Sequence, residues 1–97
     1  MITFQIAGYL TEFTGGRAEI KLDRTARTVG EALGLLWRQH SGLRDRVLTE
    51  QSEVRPHVNV FVNSQVVARD QVLQQPMEDN TEICIMPAVS GGSEARV

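Results

Sequence analysis

Residues Ile83-Cys84-Ile85-Met86-Pro87-Ala88-Val89-Ser90-Gly91-Gly92 read as a strand that runs out into glycine. Ile83 and Ile85 alternate with Cys84 and Met86, the period of a half-buried strand, and the pattern stops at Pro87. Gly91 and Gly92 carry no Cβ, so backbone at this point enters a narrow slot in another molecule without steric cost. Five residues follow, Ser93-Glu94-Ala95-Arg96-Val97, and they show no apolar pattern. Gly92 is therefore in amide linkage and has no carboxylate until the bond to Ser93 is cut.

Working outward, Val58-Asn59-Val60-Phe61-Val62-Asn63 gives the clearest strand, with three valines on one face. Ile2, Phe4 and Ile6 alternate with Thr3, Gln5 and Ala7. Ala18, Ile20 and Leu22 alternate with Glu19, Lys21 and Asp23. Thr14-Gly15-Gly16 lies between them, which predicts a hairpin. Thr28 followed by Glu31 has capping-box spacing, each side chain serving the other's backbone N–H. Val29, Ala32, Leu33, Leu36 and Trp37 then make one apolar helical stripe. Ser41-Gly42 is expected to stop this helix, and Leu43 to Leu48 to add one or two turns. Thr49 to Pro56 reads as loop, Asn63-Ser64 as a turn, Gln65 to Ala68 as a short return strand, and Gln74 to Thr81 as loop. The order strand, strand, helix, strand, short strand, strand implies an α+β layer pair, with the helix on one face of a mixed sheet.

Composition removes several function classes. The net charge of −2 gives no electrostatic reason to expect nucleic acid, and the basic residues lack interleaved aromatics. One cysteine excludes an internal disulfide and any multi-cysteine metal site. His40 and His57 have no partner at metal-ligand spacing, so no bound metal is expected. No apolar stretch reaches the ~20 residues of a membrane span, and no signal peptide is evident, so the expectation is a cytoplasmic protein with no membrane partner. Nine of the ten basic side chains are arginine, and Lys21 is the single lysine. Arg38, Arg44 and Arg46 are expected to form a solvated face. Cys84 is expected to act as a small strand hydrophobe, since no basic residue adjoins it to lower its pKa. Phe61 and Met86 share the parity that points away from the helix. Either they dock a partner, or the segment Tyr9 to Phe13 covers them.

The combined segments Thr28-Val29-Gly30-Glu31-Ala32-Leu33, Gly42-Leu43-Arg44-Asp45-Arg46, His57 to Asn63 and Ile85 to Gly92 resemble those of the small ubiquitin-like sulfur-carrier family. Its relatives include the molybdopterin synthase small subunit and the thiamine-pathway sulfur carrier. The resemblance runs from Ile2 to Gly92 and implies the β-grasp fold, the ubiquitin-like form of the α+β layout. It implies a carrier rather than an enzyme, with residues 1–89 as the domain, 90–92 as a flexible arm and 93–97 as a removable extension. An activating enzyme of the ubiquitin-activating type would use ATP to adenylate Gly92. A sulfur nucleophile would displace AMP to leave a thiocarboxylate, and a biosynthetic enzyme would take the sulfur into a cofactor, amino acid or specialised metabolite. The carrier itself would hold no cofactor. Gly91 would enter the partner's slot, Ser90 and Val89 would form the arm's base, and Met86, the residue just before Pro87, would contact the activating enzyme. A zinc protease of the JAMM type would cut between Gly92 and Ser93. Two further functions use the same fold: a modifier conjugated to lysines of other proteins, and an interaction module that keeps its tail.

Overall fold

The computed structural model describes residues 1–87. Positions 88–97, including the arm and the extension, lie outside the described residues. Five strands form one mixed sheet: β1 (Ile2–Ile6), β2 (Glu19–Leu22), β3 (Val58–Val62), β4 (Gln65–Val66) and β5 (Glu82–Pro87), in the order β2-β1-β5-β3-β4. β1 pairs antiparallel with β2 and parallel with β5, while β3 pairs antiparallel with both β5 and β4. The first and last strands thus sit side by side in the middle. Helix α1 (Val29–Gln39) is followed by α2 (Ser41–Val47), and a short α3 (Arg69–Val72) precedes β5. This is the α+β sheet-and-helix arrangement that the sequence leads one to expect.

Strand alternation fixes which face is buried. Ile2, Phe4, Ile6, Ile20, Leu22, Val58, Val60, Val62, Ile83 and Ile85 all face Val29, Ala32, Leu33 and Leu36 of α1 in one core. Trp37, expected in the same stripe, is half-buried at its margin. Leu43 and Val47 of α2 extend the core at one end.

The start of α1 is anchored twice. The Glu31 amide donates to Thr28 Oγ1 at 3.1 Å, as the capping-box spacing requires. Glu31 Oε1 accepts from the Arg27 amide at 3.2 Å, one residue before the cap, so the return bond differs from the expected one. The next free amides are taken up from outside the helix: Val29 N–H donates to the Gln75 carbonyl and Gly30 N–H to the Leu73 carbonyl. A Cβ built on Gly30 would stand 2.8 Å from that Leu73 oxygen, so glycine is what lets the two backbones meet.

Three details depart from expectation. The expected stop of the first helix falls two residues early, at Gln39 with His40 as its cap, and the expected further turns begin at Ser41 as α2. Gly8–Phe13 is a 3-10 helix rather than open loop, with Leu10 turned fully into the core. Arg69–Val72 forms a helical turn between the expected return strand and the expected loop from Gln74. Its Arg69 guanidinium bonds to the carbonyls of Arg55, Pro56 and Val58, fixing the approach to β3. The Asn63-Ser64 turn has positive φ at both residues (50° and 69°), as a two-residue hairpin needs, and Asn63 Oδ1 accepts from the Glu82 amide.

Replacing Gly30 by alanine forces a carbon against a backbone carbonyl that has no side-chain freedom to yield. The expected result is a loss of about 1–3 kcal/mol in denaturant unfolding, far more than the same change at Gly34, where an added carbon meets nothing.

Candidate functional site

The helix-free face of the sheet is divided. Strand register places Glu19, Gln5, Cys84, Phe61 and Val66 in one row across all five strands. Met86 lies one step along β5, paired with Asn59. The β2–β1 side is polar: Gln5 Nε2 donates to Glu19 Oε2 at 2.8 Å, and Lys21 lies 3.9 Å from Glu19. The β5–β3–β4 side is apolar, with Met86 37 % and Val66 70 % exposed. Gln5, Phe61, Ser64, Glu82, Cys84 and Met86 line a shallow hollow there.

The Tyr9 to Phe13 segment does not line this hollow. Leu10 points into the core, and Phe13 packs beside Gly42 of α2 with the Arg46 guanidinium 4.7 Å from its ring centre. Of the two readings of Phe61 and Met86, the covering loop is the one set aside. Val66 joins their patch, a position that sequence parity could have found: a two-residue turn puts Val66 opposite Phe61.

Cys84 sits on the same face, half-buried. Burial, and then the nearby Glu82 carboxylate, push its thiol above the ordinary value of 9.0. Both effects disfavour the thiolate, so the reactive form is suppressed near neutrality. Alkylation of Cys84 by iodoacetamide should accordingly be slower at pH 8 than for the urea-unfolded chain, and its rate should still be rising at a pH where that of the unfolded chain has levelled off. Equal rates in both states would contradict the thiol's placement.

A second hollow lies where β5 ends. Pro87 pairs with Val58, the first residue of β3, and a Cβ on Gly8 (φ 63°) would meet the Pro87 ring at 3.0 Å. The residues next to these two, His57 and Tyr9, line a hollow with Asp45, Arg46 and Arg55. These groups are far apart in sequence, and nothing short of the fold brings them together. Arg38 and Arg46 are exposed, as expected of a solvated face, with the Arg46 guanidinium over Phe13, while Arg44 is half-buried and bonds to Asp45 and Ser52. Among the described residues no three His, Cys, Asp or Glu side chains gather as a metal would require, and no helix is long and apolar enough to cross a membrane. The other expected site positions, Val89, Ser90, Gly91, Gly92 and the junction with Ser93, lie outside the described residues.

The sheet order, the helix across one face and the patch on the other define a ubiquitin-like β-grasp protein. Residues 4–92 match the model of the ThiS family, and the chain belongs to that family. It is 35 % identical over 65 residues to small archaeal modifier protein 3 of Haloferax volcanii, covering 67 % of this chain and 70 % of that one. It is 29 % identical over 93 residues to the sulfur carrier protein CysO of Mycobacterium tuberculosis, covering 94 % of this chain and 98 % of the relative. Among solved structures, a chain of the Amycolatopsis orientalis BexX/CysO complex superposes with a TM-score of 0.82 at 28 % identity, covering 95 % of this chain and all of that one.

Proposed function

We propose that this protein carries sulfur as a thiocarboxylate on Gly92. The observation that carries the reading is the family match itself: it runs through nearly the whole chain and stops at residue 92, leaving Ser93 to Val97 beyond it. A JAMM-type zinc protease removes those five residues and frees the Gly92 carboxylate. An activating enzyme of the ubiquitin-activating type then spends ATP to form the acyl adenylate, a mixed anhydride. Sulfur attacks the carbonyl carbon, AMP leaves, and the thiocarboxylate passes its sulfur to a biosynthetic enzyme. The carrier binds no cofactor of its own and performs no catalysis; its work is recognition and delivery, in the cytoplasm. Gly91 fits the partner's slot, and Ser90 and Val89 join the arm to the domain.

The exposed half of the sheet supports the docking part of this account. Phe61 and Met86 present apolar surface next to the strand from which the arm departs, so one partner reaches patch and arm together. A Met86→Asp variant should keep its unfolding midpoint within about 0.5 kcal/mol, as a surface change does, while losing most of its binding to the activating enzyme. Unchanged binding would remove Met86 from the contact. A Gly92→Val variant ending at that position should stay folded and form no thiocarboxylate; product at the normal rate would place the reactive carbon elsewhere.

The likeness to a small archaeal modifier protein favours a second reading, conjugation of the same carboxylate to lysines of other proteins. A Gly-Gly remnant on target lysines after digestion marks that chemistry, and sulfur transfer leaves none.

A further inference from the structure

We infer that the hollow on the helix-free face receives an arginine side chain of the docking partner, with Glu82 taking the guanidinium and Phe61 and Met86 taking the apolar stem. The inference rests on the docking role proposed above for Phe61 and Met86, and it names what they dock. Strand parity puts three charged groups on this face: Glu19 and Lys21 from β2 and Glu82 from β5. Two of them are already partnered. Lys21 Nζ stands 3.9 Å from Glu19 Oε1, and the Gln5 amide donates to Glu19 Oε2 at 2.8 Å. Glu82 has no cation within ion-pair distance among the described residues. Its side-chain hydrogen bond there is the long approach of the same Gln5 amide, at 3.5 Å from Oε2. The Glu82 side chain is also half-buried. A half-buried carboxylate without a counter-ion gains more from an incoming cation than a fully solvated one, because less water screens the pair.

The floor of the hollow selects among cations. Cys84 and Phe61 are register partners on adjacent strands, and Met86 lies two residues past Cys84 on the same face. Glu82 lies two residues before Cys84, about 7 Å back along β5. An apolar floor thus leads to one carboxylate, with Ser64 at its rim. The Cys84 thiol is pushed up by burial first and by Glu82 second, so the charge of that carboxylate is felt within the hollow. A long basic side chain matches this layout: its methylene stem covers apolar surface while its head reaches the polar end. Between the two such side chains, the floor favours arginine. A guanidinium is planar and weakly hydrated, stacks on an aromatic face such as that of Phe61, and offers a carboxylate two parallel N–H donors. A further N–H is free for the Ser64 hydroxyl, which accepts. An ammonium is more strongly hydrated and has no plane to stack. Val66, 70 % exposed and paired with Phe61, extends the floor away from Glu82, so an aliphatic residue beside the arginine completes the fit.

The test needs no activating enzyme. The full chain, isotope-labelled for NMR, is titrated with the capped peptide acetyl-Leu-Arg-Leu-amide at up to millimolar concentration. The same peptide with lysine, and with citrulline as the neutral isostere of arginine, serve as comparisons. The arginine peptide is expected to give saturable shifts of the Met86 methyl and of the Phe61 and Cys84 amides. The lysine peptide should bind several-fold more weakly and the citrulline peptide about ten-fold more weakly. Glu82→Gln, checked for the parent's melting curve, should bring the arginine peptide down to the citrulline level. Glu19→Gln, which alters a carboxylate already partnered, should stay within about two-fold of the parent. Equal binding of the arginine and citrulline peptides, or no saturable shift, would overturn the inference; this comparison uses the unaltered protein and does not depend on how a variant folds. Shifts that grow with protein concentration alone and vanish in Glu82→Gln would make a second copy of this chain the occupant and would also overturn it. Unchanged binding of Met86→Asp to the activating enzyme would count against the docking role itself, whereas the peptide result is read without that enzyme, so the two failures are told apart.

Discussion

The parallel pairing of β1 with β5 is the contact on which the molecule's geometry depends. It joins the first strand to the last across most of the chain's length, through Thr3 and Glu82 to Ile6 and Ile85. With β2 and β3 flanking the pair, both central strands are buried on their helix side, and Phe4, Ile83 and Ile85 have no exposure at all. Because β5 is central, its end at Pro87 emerges between β3 and the 3-10 helix, held by Val58 and Gly8. A segment that leaves from the middle of a sheet starts from a rigid point. The apolar patch and the hollow near Pro87 take their positions from that strand.

The helical layer is secured by backbone rather than by charge. The first amides of α1 are satisfied by carbonyls from the Leu73 to Gln75 segment, and the approach to β3 is held by Arg69 through three carbonyls. The ion pairs among the described residues, Lys21–Glu19 and Arg44–Asp45, are at the surface, where such pairs contribute at most about 1 kcal/mol. Stability therefore resides in the core and its caps, which leaves the opposite sheet face free to be shaped for contact.

Much of this was legible in the sequence, for physical reasons that differ from element to element. β1, β2, β3 and β5 are each covered on one face, so their side chains alternate and the parity of Phe61, Cys84 and Met86 follows. The start of α1 is written in Thr28 and Glu31 because a cap is a local interaction. The 3-10 helix over Gly8–Phe13 was not legible: only Leu10 is buried in it, and one apolar residue defines no period. The break near Ser41-Gly42 was legible to within two residues, and Leu43 and Val47 bury enough surface to restart a helix at once. Of the site, the patch was readable from parity, whereas the hollow at Pro87 brings together residues 9, 45, 46, 55 and 57 and has no trace in any local pattern.

The chain belongs to the ThiS family, and the proposal that it carries sulfur stands or falls on whether Gly92 becomes a terminus. The most direct measurement is the intact mass of the protein taken from its own cells. The account predicts a chain ending at Gly92, part of it heavier by the difference between one sulfur and one oxygen atom. A population that retains Ser93 to Val97 throughout would leave Gly92 without a carboxylate and contradict it.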